Sequence, residues 1–392
     1  MRIAIYAGAF KMNQDGATKT LYELVESLLE NGIEVGVWGF NITPRQRDGL
    51  HLYPIPSIPL PFYPDYKVTL PNPKMKNQLR EFAPDVLHIT VPDIVGISLV
   101  RFAGREGIPV LASYHTDFPS YLKSYHLGKF YKPAWRYFKW FYNKSQTVLA
   151  PTQEIIAKLK RNGIEHVKLW SRGIHLHKYS RNFRSDALRT RWGADTPDKK
   201  VILYSGRFVW FKDLQTFIEV YELFKESGPR GVVFVLAGDG PIRHELEQRM
   251  PDAYFTGYLE GEELSRVYAS ADLLLFPSTT ETFGNVVLEA LSSGIPVVVS
   301  NIGGCKEIIR QSGGGLISIA RDPQSFYENC RRLICDIRMY EIMQSQGLRY
   351  AEERNWEKIN RCVIEEYQHI CQNKGTGRRT ETRTTLLVNN YR

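Results

Sequence analysis

Several clusters in the second half of this 392-residue chain carry side chains suited to holding a hydroxylated polyanion. Arg207 follows Tyr204-Ser205-Gly206 at the end of an apolar run, and Lys212 comes one short loop later. A guanidinium offers a planar fork to two oxygens and an ammonium adds a point charge, the combination a diphosphate needs. Gly206 lets a ligand come close to the backbone. On spacing alone, the two residues read more readily as solvated surface cations. Further on, Ser278-Thr279-Thr280-Glu281-Thr282-Phe283-Gly284-Asn285 joins the apolar residues 273–277 to a helical pattern over 286–293. The free N–H groups and positive dipole end of a helix N-terminus suit a phosphate. Glu281 and Glu289 offer acceptor-only oxygens that can hold ligand hydroxyls, with Glu289 expected close to the first turn. Acidic residues also favour helix starts for their own sake.

The remaining candidates are weaker in isolation. Gly238-Asp239-Gly240-Pro241 is a tight turn from strand to helix, common in α/β folds. In the first half, Gln14-Asp15-Gly16-Ala17 places a glycine between the first strand and the first helix, where a phosphate or sugar can approach. Gly8 stands alone after that strand, so the GxGxxG fingerprint of nicotinamide and flavin enzymes is absent. Ser113-Tyr114-His115-Thr116-Asp117 ends an apolar run and sets His115 at a strand's carboxyl edge. A histidine there reads equally as a structural group or as a cleft ligand.

These residues need a frame, and hydrophobic periodicity predicts one. Residues 3–7 read as a strand, and Leu21, Leu24, Val25, Leu28 and Leu29 then recur on one helical face. Asn31-Gly32 stops that helix before a strand at 33–38. Further strands are expected at 86–89, 109–113 and 147–150. After the alternation restarts near 195, they are expected at 201–204, 232–237, 253–256, 273–277 and 296–300. Strands alternating with helices imply parallel sheets covered on both faces. Two successive runs imply an α/β chain of two Rossmann-like domains facing across a cleft, with ligands at the carboxyl ends of the strands. The expected division is 1–175, 176–355, a helix at 356–374 and a disordered tail at 375–392, with the join in the basic stretch 173–197. Prolines at 54, 56, 59, 61, 64, 71 and 73 preclude regular helix and central strand there, so an extended surface excursion is expected.

Composition narrows the function classes. Hydrophobic residues make up 43% and charged residues 24%, an ordinary soluble globular balance. No apolar run reaches the roughly 20 residues that span a bilayer. Residues 1–8 enter a strand without a charged leader, so no secretory signal is expected and the expected location is cytoplasmic. Cys305, Cys330, Cys335, Cys362 and Cys371 show no metal-ligand spacing and fit thiols packed as small hydrophobes in a reducing compartment. A net charge of +9 suggests an anionic partner, whether nucleic acid, anionic lipid or a phosphorylated small molecule. Residues 130–144 interleave Phe130, Tyr131, Trp135, Tyr137, Phe138, Trp140, Phe141 and Tyr142 with Lys132, Arg136, Lys139 and Lys144, and Lys129 precedes them. That composition suits a membrane-surface helix or a core helix with a basic edge. Base stacking is a third use, but no nucleic-acid module accompanies it, so no nucleic acid is expected.

In order and spacing, Ser205-Gly206-Arg207 with Lys212, Gly238-Asp239-Gly240-Pro241, Pro277-Ser278 with Glu281-Thr282-Phe283-Gly284-Asn285 through Glu289-Ala290, Ser293-Gly294-Ile295-Pro296-Val297 and Gly303-Gly304 resemble the family 4 retaining glycosyltransferases. The resemblance implies the GT-B architecture, with a nucleotide-sugar donor held mainly by the C-terminal domain and the last helix packed back on the first. By position, Arg207 and Lys212 would neutralise the diphosphate and the departing nucleotide. Phe283, Gly284 and Asn285 would offer backbone N–H groups to the phosphates or sugar. Glu281 would contact the donor sugar, Glu289 the ribose hydroxyls and Gly257-Tyr258-Leu259 the nucleobase. Gly206 and Asp239 belong to the same donor-binding set. Gly16 resembles the loop glycine near the donor phosphates, where many relatives carry two glycines and this chain has Asp15-Gly16. His115 resembles the histidine that touches the transferred sugar. His175 stands where relatives usually have an aspartate and is given no role. The resemblance therefore assigns His115, Arg207, Lys212 and Glu281 to catalysis.

The implied activity is transfer of a hexose from a UDP- or GDP-linked donor, giving an α-glycosidic bond, with no obligatory metal or cofactor. Residues 113–117 with Pro119, Tyr121 and the aromatic-basic helix are similar to a subgroup that glycosylates lipids, the sulfoquinovosyl, glucosyl and mannosyl transferases. That likeness implies a membrane glycolipid or lipid-precursor acceptor and a peripheral place on the inner face of a membrane. The alternatives are a non-catalytic sugar-nucleotide or polyanion-binding protein, a transferase with a soluble saccharide acceptor, or a phosphorylase, for which no pyridoxal phosphate signature is present.

Overall fold

The computed structural model describes residues 1–11, 16–60, 63–120 and 128–374, so Asp15, Tyr121 and the expected tail lie outside the described residues. The first half contains β1 (Arg2–Ala9), β2 (Glu34–Phe40), β3 (Leu50–Pro54), β4 (Ser57–Leu60), β5 (Tyr63–Thr69), β6 (Val86–Ile89), β7 (Val110–Ser113), β8 (Thr147–Ala150) and β9 (Val167–Leu169). The second contains β10 (Lys200–Ser205), β11 (Val232–Ala237), β12 (Tyr254–Gly257), β13 (Leu273–Phe276), β14 (Val297–Ser300) and β15 (Gly315–Ser318). Two parallel sheets result, in the orders β3-β2-β1-β6-β7-β8-β9 and β12-β11-β10-β13-β14-β15. Ile3, Ala4, Ile5 and Tyr6 in β1, like Val201, Ile202, Leu203 and Tyr204 in β10, are fully buried. Strands with no polar face must be covered by helices on both sides, as the α/β expectation requires.

In each sheet the winding reverses at one point, between β1 and β6 and between β10 and β13. The crevices outside the carboxyl ends of those strands are where open α/β sheets hold ligands. The sequence pattern did not reveal β3, β9 and β15. All three are edge strands of their sheets, and an edge needs no continuous apolar run.

Residues 54–73 are more ordered than an extended excursion. β4 and β5 form a separate antiparallel hairpin with Ser57 opposite Thr69 and Ile58 opposite Val68. Both strands are edges, which tolerate the missing N–H groups of proline. The cysteine expectation holds for Cys305 and Cys330, which are buried, and in part for Cys371, which is half-buried against the first core; Cys335 and Cys362 are exposed.

The helix Trp356–Lys374 crosses back to the first sheet, where Val363, Ile364, Tyr367 and Ile370 share a core with Ile3, Ile5, Leu24 and Leu28. Buried Asn360 fixes its register, donating to Glu23 O at 2.9 Å and accepting from Trp170 Nε1 at 3.2 Å. The helix Tyr131–Tyr142 turns Trp135, Phe138, Phe141 and Tyr142 into the core. Its other face exposes Lys132, Arg136, Lys139 and Trp140, continued by Lys129, Phe130 and Lys144. Among the described residues no helix is long and apolar enough to cross a membrane.

Candidate active site in the cleft

The carboxyl edge of the second sheet collects the cationic and glycine motifs from neighbouring strands. Gly206 and Arg207 leave β10, and Phe208 N donates to Asp239 O at 2.9 Å, tying them to the turn after β11. Gly238 N donates to Gly257 O at 3.0 Å, which brings Gly257, Tyr258 and Leu259 to the same edge. The Arg207 and Tyr258 side chains are exposed there. The Asp239 carboxylate caps Gly240 N at 2.7 Å and faces Arg243 at 3.5 Å.

Beside them, the loop between β13 and the helix Asn285–Ser292 is pinned from several directions. Lys212, at the end of a short 3-10 turn, forms an ion pair with Glu281. Buried Asp213 accepts from Thr279 N at 2.8 Å and Thr279 Oγ1 at 2.7 Å, and Arg321 Nε reaches its other oxygen at 3.0 Å. Gly304 N donates to Glu281 O at 2.7 Å, which uses the second glycine of Gly303-Gly304. Gly284 caps the helix with φ +102°, and a Cβ there would stand 2.3 Å from Cys305 Sγ. No other residue meets both demands without a shift. The Phe283 ring is buried in the second core, so only its backbone is left to face a ligand. The helix that follows starts at Asn285, and its first amides have no acceptor within the helix itself.

Glu289 lies deeper than expected. The helix starts at Asn285, so Glu289 is one full turn in, and it is only 6% exposed. Tyr268 Oη donates to its Oε2 at 3.0 Å, and Lys19 Nζ, from the first-sheet helix Gly16–Glu30, stands 2.7 Å from its Oε1. Burial alone would lower the Lys19 pKa. The Glu289 carboxylate and then Tyr179 more than reverse that, holding the ammonium protonated above its ordinary range. Gly16 lies opposite Asn285, since a Cβ on Gly16 would come within 2.6 Å of Asn285 Nδ2.

His115 forms the facing wall, and both of its ring nitrogens have partners within its own half. Ser113 Oγ lies 2.8 Å from Nε2, and Arg172 Nη2 lies 3.2 Å from Nδ1. Burial, then the Arg172 charge and then His88 push its pKa well below the usual range, so the imidazole is neutral. What His115 offers across the cleft is its carbonyl, which accepts from Thr282 Oγ1 at 2.8 Å. A second strap holds the halves together, with Glu307 accepting from Gln153 N and Glu154 N at 2.9 Å each and Lys306 pairing with Glu154 at 2.9 Å. His175, given no role from sequence, meets Glu23 at 2.8 Å.

The structure thus brings the two halves together at Gly16 with Asn285, His115 with Thr282 and Lys19 with Glu289, beside the Lys212–Glu281 pair and the Phe283-Gly284 turn. Gly206, Arg207, Asp239 and the 257–259 segment meet at the carboxyl edge of the second sheet. Sequence reasoning missed Lys19, Arg172, Asp213 and Thr282. Lys19 alone left a signal: a lysine in the first turn opposes the helix dipole, which invites an external carboxylate. Among the described residues, no group of three or more His, Cys, Asp or Glu side chains could hold a metal ion.

Comparison with known proteins bears on the family and the fold. The family model described as Glycosyltransferase Family 4 matches residues 14–178, and Glycosyl transferases group 1 matches residues 199–336. The chain is 30% identical over 380 residues to a GDP-mannose-dependent alpha-mannosyltransferase of Corynebacterium glutamicum, covering 94% of this chain and 89% of that one. It is 29% identical to a sulfoquinovosyl transferase of Arabidopsis thaliana, covering 90% of this chain and 68% of the relative. An alpha-monoglucosyldiacylglycerol synthase of Streptococcus pneumoniae is 26% identical over 76% of this chain and 70% of its own length. Sucrose-phosphate synthase from Thermosynechococcus elongatus, at 17% identity, shares the fold with a TM-score of 0.78 over 94% of this chain and 98% of its own. Two facing parallel-sheet units of the GT-B kind, both family matches and a relative aligned over nearly the whole length place the chain in glycosyltransferase family 4, among enzymes that transfer a sugar from a nucleotide sugar.

Proposed function

We propose that this enzyme moves a hexose from a GDP- or UDP-linked donor to a membrane glycolipid or lipid precursor, with retention, giving an α-glycosidic bond. The observation that carries this reading is the placement of the 278–284 loop. Lys212 holds it from its own sheet and the His115 carbonyl holds it from the other. A donor seated against that loop would lie between the two sheets.

Arg207 and Lys212 would take the diphosphate, joined by the amides of Phe283, Gly284 and Asn285 at the helix N-terminus. Preorganised donors of this kind stabilise the charge that develops as a leaving group departs. Glu289 would hold the ribose diol, and Glu281, oriented by Lys212, a hydroxyl of the sugar. Gly257, Tyr258 and Leu259 would flank the base, with Gly206, Asp239 and Gly16 shaping the phosphate rim. His115 would form the wall beside the transferred sugar. In the front-face route proposed here, the anomeric C–O bond to phosphate breaks while the acceptor oxygen bonds on the same face. The acceptor proton passes to the departing phosphate oxygen, so no protein nucleophile is needed.

The acceptor reading draws on the exposed face of the helix Tyr131–Tyr142. Lys132, Arg136 and Lys139 lie beside Trp140, which is 39% exposed, and Phe130, which is 48% exposed. Cations next to interfacial aromatics suit the surface of an anionic membrane. The name of the diacylglycerol-glucosylating relative agrees with that reading.

The direct test incubates the protein with GDP-mannose, UDP-glucose and related donors in vesicles of phosphatidylglycerol and diacylglycerol. Product anomeric configuration is then read by NMR. An α-linked glycolipid supports the reading; a β-linked product, or donor binding without transfer or hydrolysis, overturns it.

A further inference from the structure

We propose that Tyr367, His88 and Ser113 are positioning residues for the donor loop, holding His115 through a hydrogen-bond chain so that its carbonyl receives Thr282 across the cleft. The proposal rests on the donor-site reading of residues 278–289 and adds what fixes that loop against the first sheet.

The chain runs from Tyr367 Oη to His88 Nδ1 at 2.6 Å, from His88 Nε2 to Ser113 Oγ at 3.0 Å, and from Ser113 Oγ to His115 Nε2 at 2.8 Å. It ends where His115 Nδ1 meets Arg172 Nη2 at 3.2 Å. Valence decides the direction of the bonds at His115. A guanidinium can only donate, so His115 Nδ1 accepts and, in the neutral ring, the proton sits on Nε2. Nε2–H therefore donates to Ser113 Oγ. That oxygen has two lone pairs and one proton, so it serves His88 Nε2 as donor or as acceptor, and the His88–Tyr367 bond runs accordingly. One donor at Arg172 thus sets the His115 tautomer.

Burial makes the arrangement binding. Tyr367 and His88 are fully buried, Ser113 is 1% exposed and Arg172 is 4% exposed. The Trp170 ring packs 5.4 Å from His115 and 6.0 Å from His88. A broken link would leave a buried polar atom unpaired, so the network acts as a unit. Burial also depresses the His88 pKa to about 3, which agrees with a neutral ring.

The geometry has two consequences. Both ring nitrogens of His115 are committed inside the first sheet unit, so its carbonyl is the group that docks Thr282. Tyr367 belongs to the C-terminal helix, so that helix is bonded through the chain to the wall of the cleft.

The test is histidine side-chain 15N NMR on the full-length protein, with the His88 and His115 signals among its nine histidines assigned by substitution. The expected pattern is His115 protonated at Nε2 and His88 held in a single neutral tautomer, with neither titrating between about pH 6 and 8. Tyr367→Phe removes one hydroxyl and should shift the signals of both rings. It should also lower kcat by on the order of 10- to 100-fold, while affinity for GDP or UDP, measured by calorimetry, changes by less than about threefold. Ser113→Ala should do the same, and Ser113→Thr should recover much of the activity. An Nδ1–H tautomer at His115, or a Tyr367→Phe variant with wild-type kcat, overturns the proposal. Failure of the wild type to turn over any nucleotide sugar would instead overturn the donor reading, and the tautomer pattern would still decide the chain.

Discussion

Lys19 and Glu289 meet at 2.7 Å although 270 residues separate them, and they belong to helices of different sheets. The side chain of Glu289 is 8% exposed and that of Lys19 26% exposed, so the pair sits partly out of water where the two sheet units meet. The carboxylate proposed to hold the donor ribose is therefore oriented by the opposite half of the protein. Tyr268 secures its second oxygen at 3.0 Å.

Lys19→Met should leave that carboxylate with Tyr268 and no cation. Stripping one member from a mostly buried pair costs more than the pair contributes, here about 2 kcal/mol after allowing for the exposure of Lys19. Urea denaturation should show the loss, with Lys19→Arg close to wild type. An unchanged midpoint for the methionine variant would remove the pair from any structural role.

Arg207→Ala should keep the fold, because the side chain is exposed at the sheet edge. If the guanidinium meets the diphosphate, turnover should fall on the order of 10²-fold or more. Near-normal kinetics in a folded variant would sink that assignment.

Glu289→Ala tests the ribose contact. Nucleoside diphosphate affinity, measured by calorimetry, should weaken on the order of 10-fold, the scale of a lost charge-assisted hydrogen bond. Equal affinity for the variant and the wild type would contradict the role.

Replacing Lys132, Arg136 and Lys139 together by glutamate should abolish sedimentation with anionic vesicles, since each basic residue near such a surface contributes roughly 1 kcal/mol. Their side chains point to solvent, so thermal stability should stay near wild type. Equal binding of the wild type to neutral and anionic vesicles would end the membrane reading.

Acid should destabilise the protein through His88. Its folded pKa is held near 3 by burial, against 6.5 for the free side chain, so between those values the unfolded chain binds a proton that the folded protein does not. The contribution is complete above pH 6.5 and is lost as pH falls, at about 1.4 kcal/mol per pH unit. His88→Asn should flatten the stability profile between pH 6 and 4 by roughly that slope. Parallel profiles for the two proteins would show that the ring titrates normally in the fold.

By itself the sequence determined the two α/β units, most of the strands and the local turns that carry Gly206, Arg207, Lys212, Glu281, Gly284 and Glu289. These depend on apolar periodicity and on backbone demands within a few residues, which a linear reading can register. The hairpin at β4 and β5 and the three edge strands escaped because edges need no continuous apolar run. Tertiary structure alone decided that Lys19 meets Glu289, that the His115 carbonyl rather than its ring faces Thr282, and that Tyr367 reaches His88. It also decided that four rings of the aromatic helix enter the core while Phe130 and Trp140 stay outside. Each of these outcomes joins residues far apart in the chain, and their distances depend on how whole sheets and helices pack.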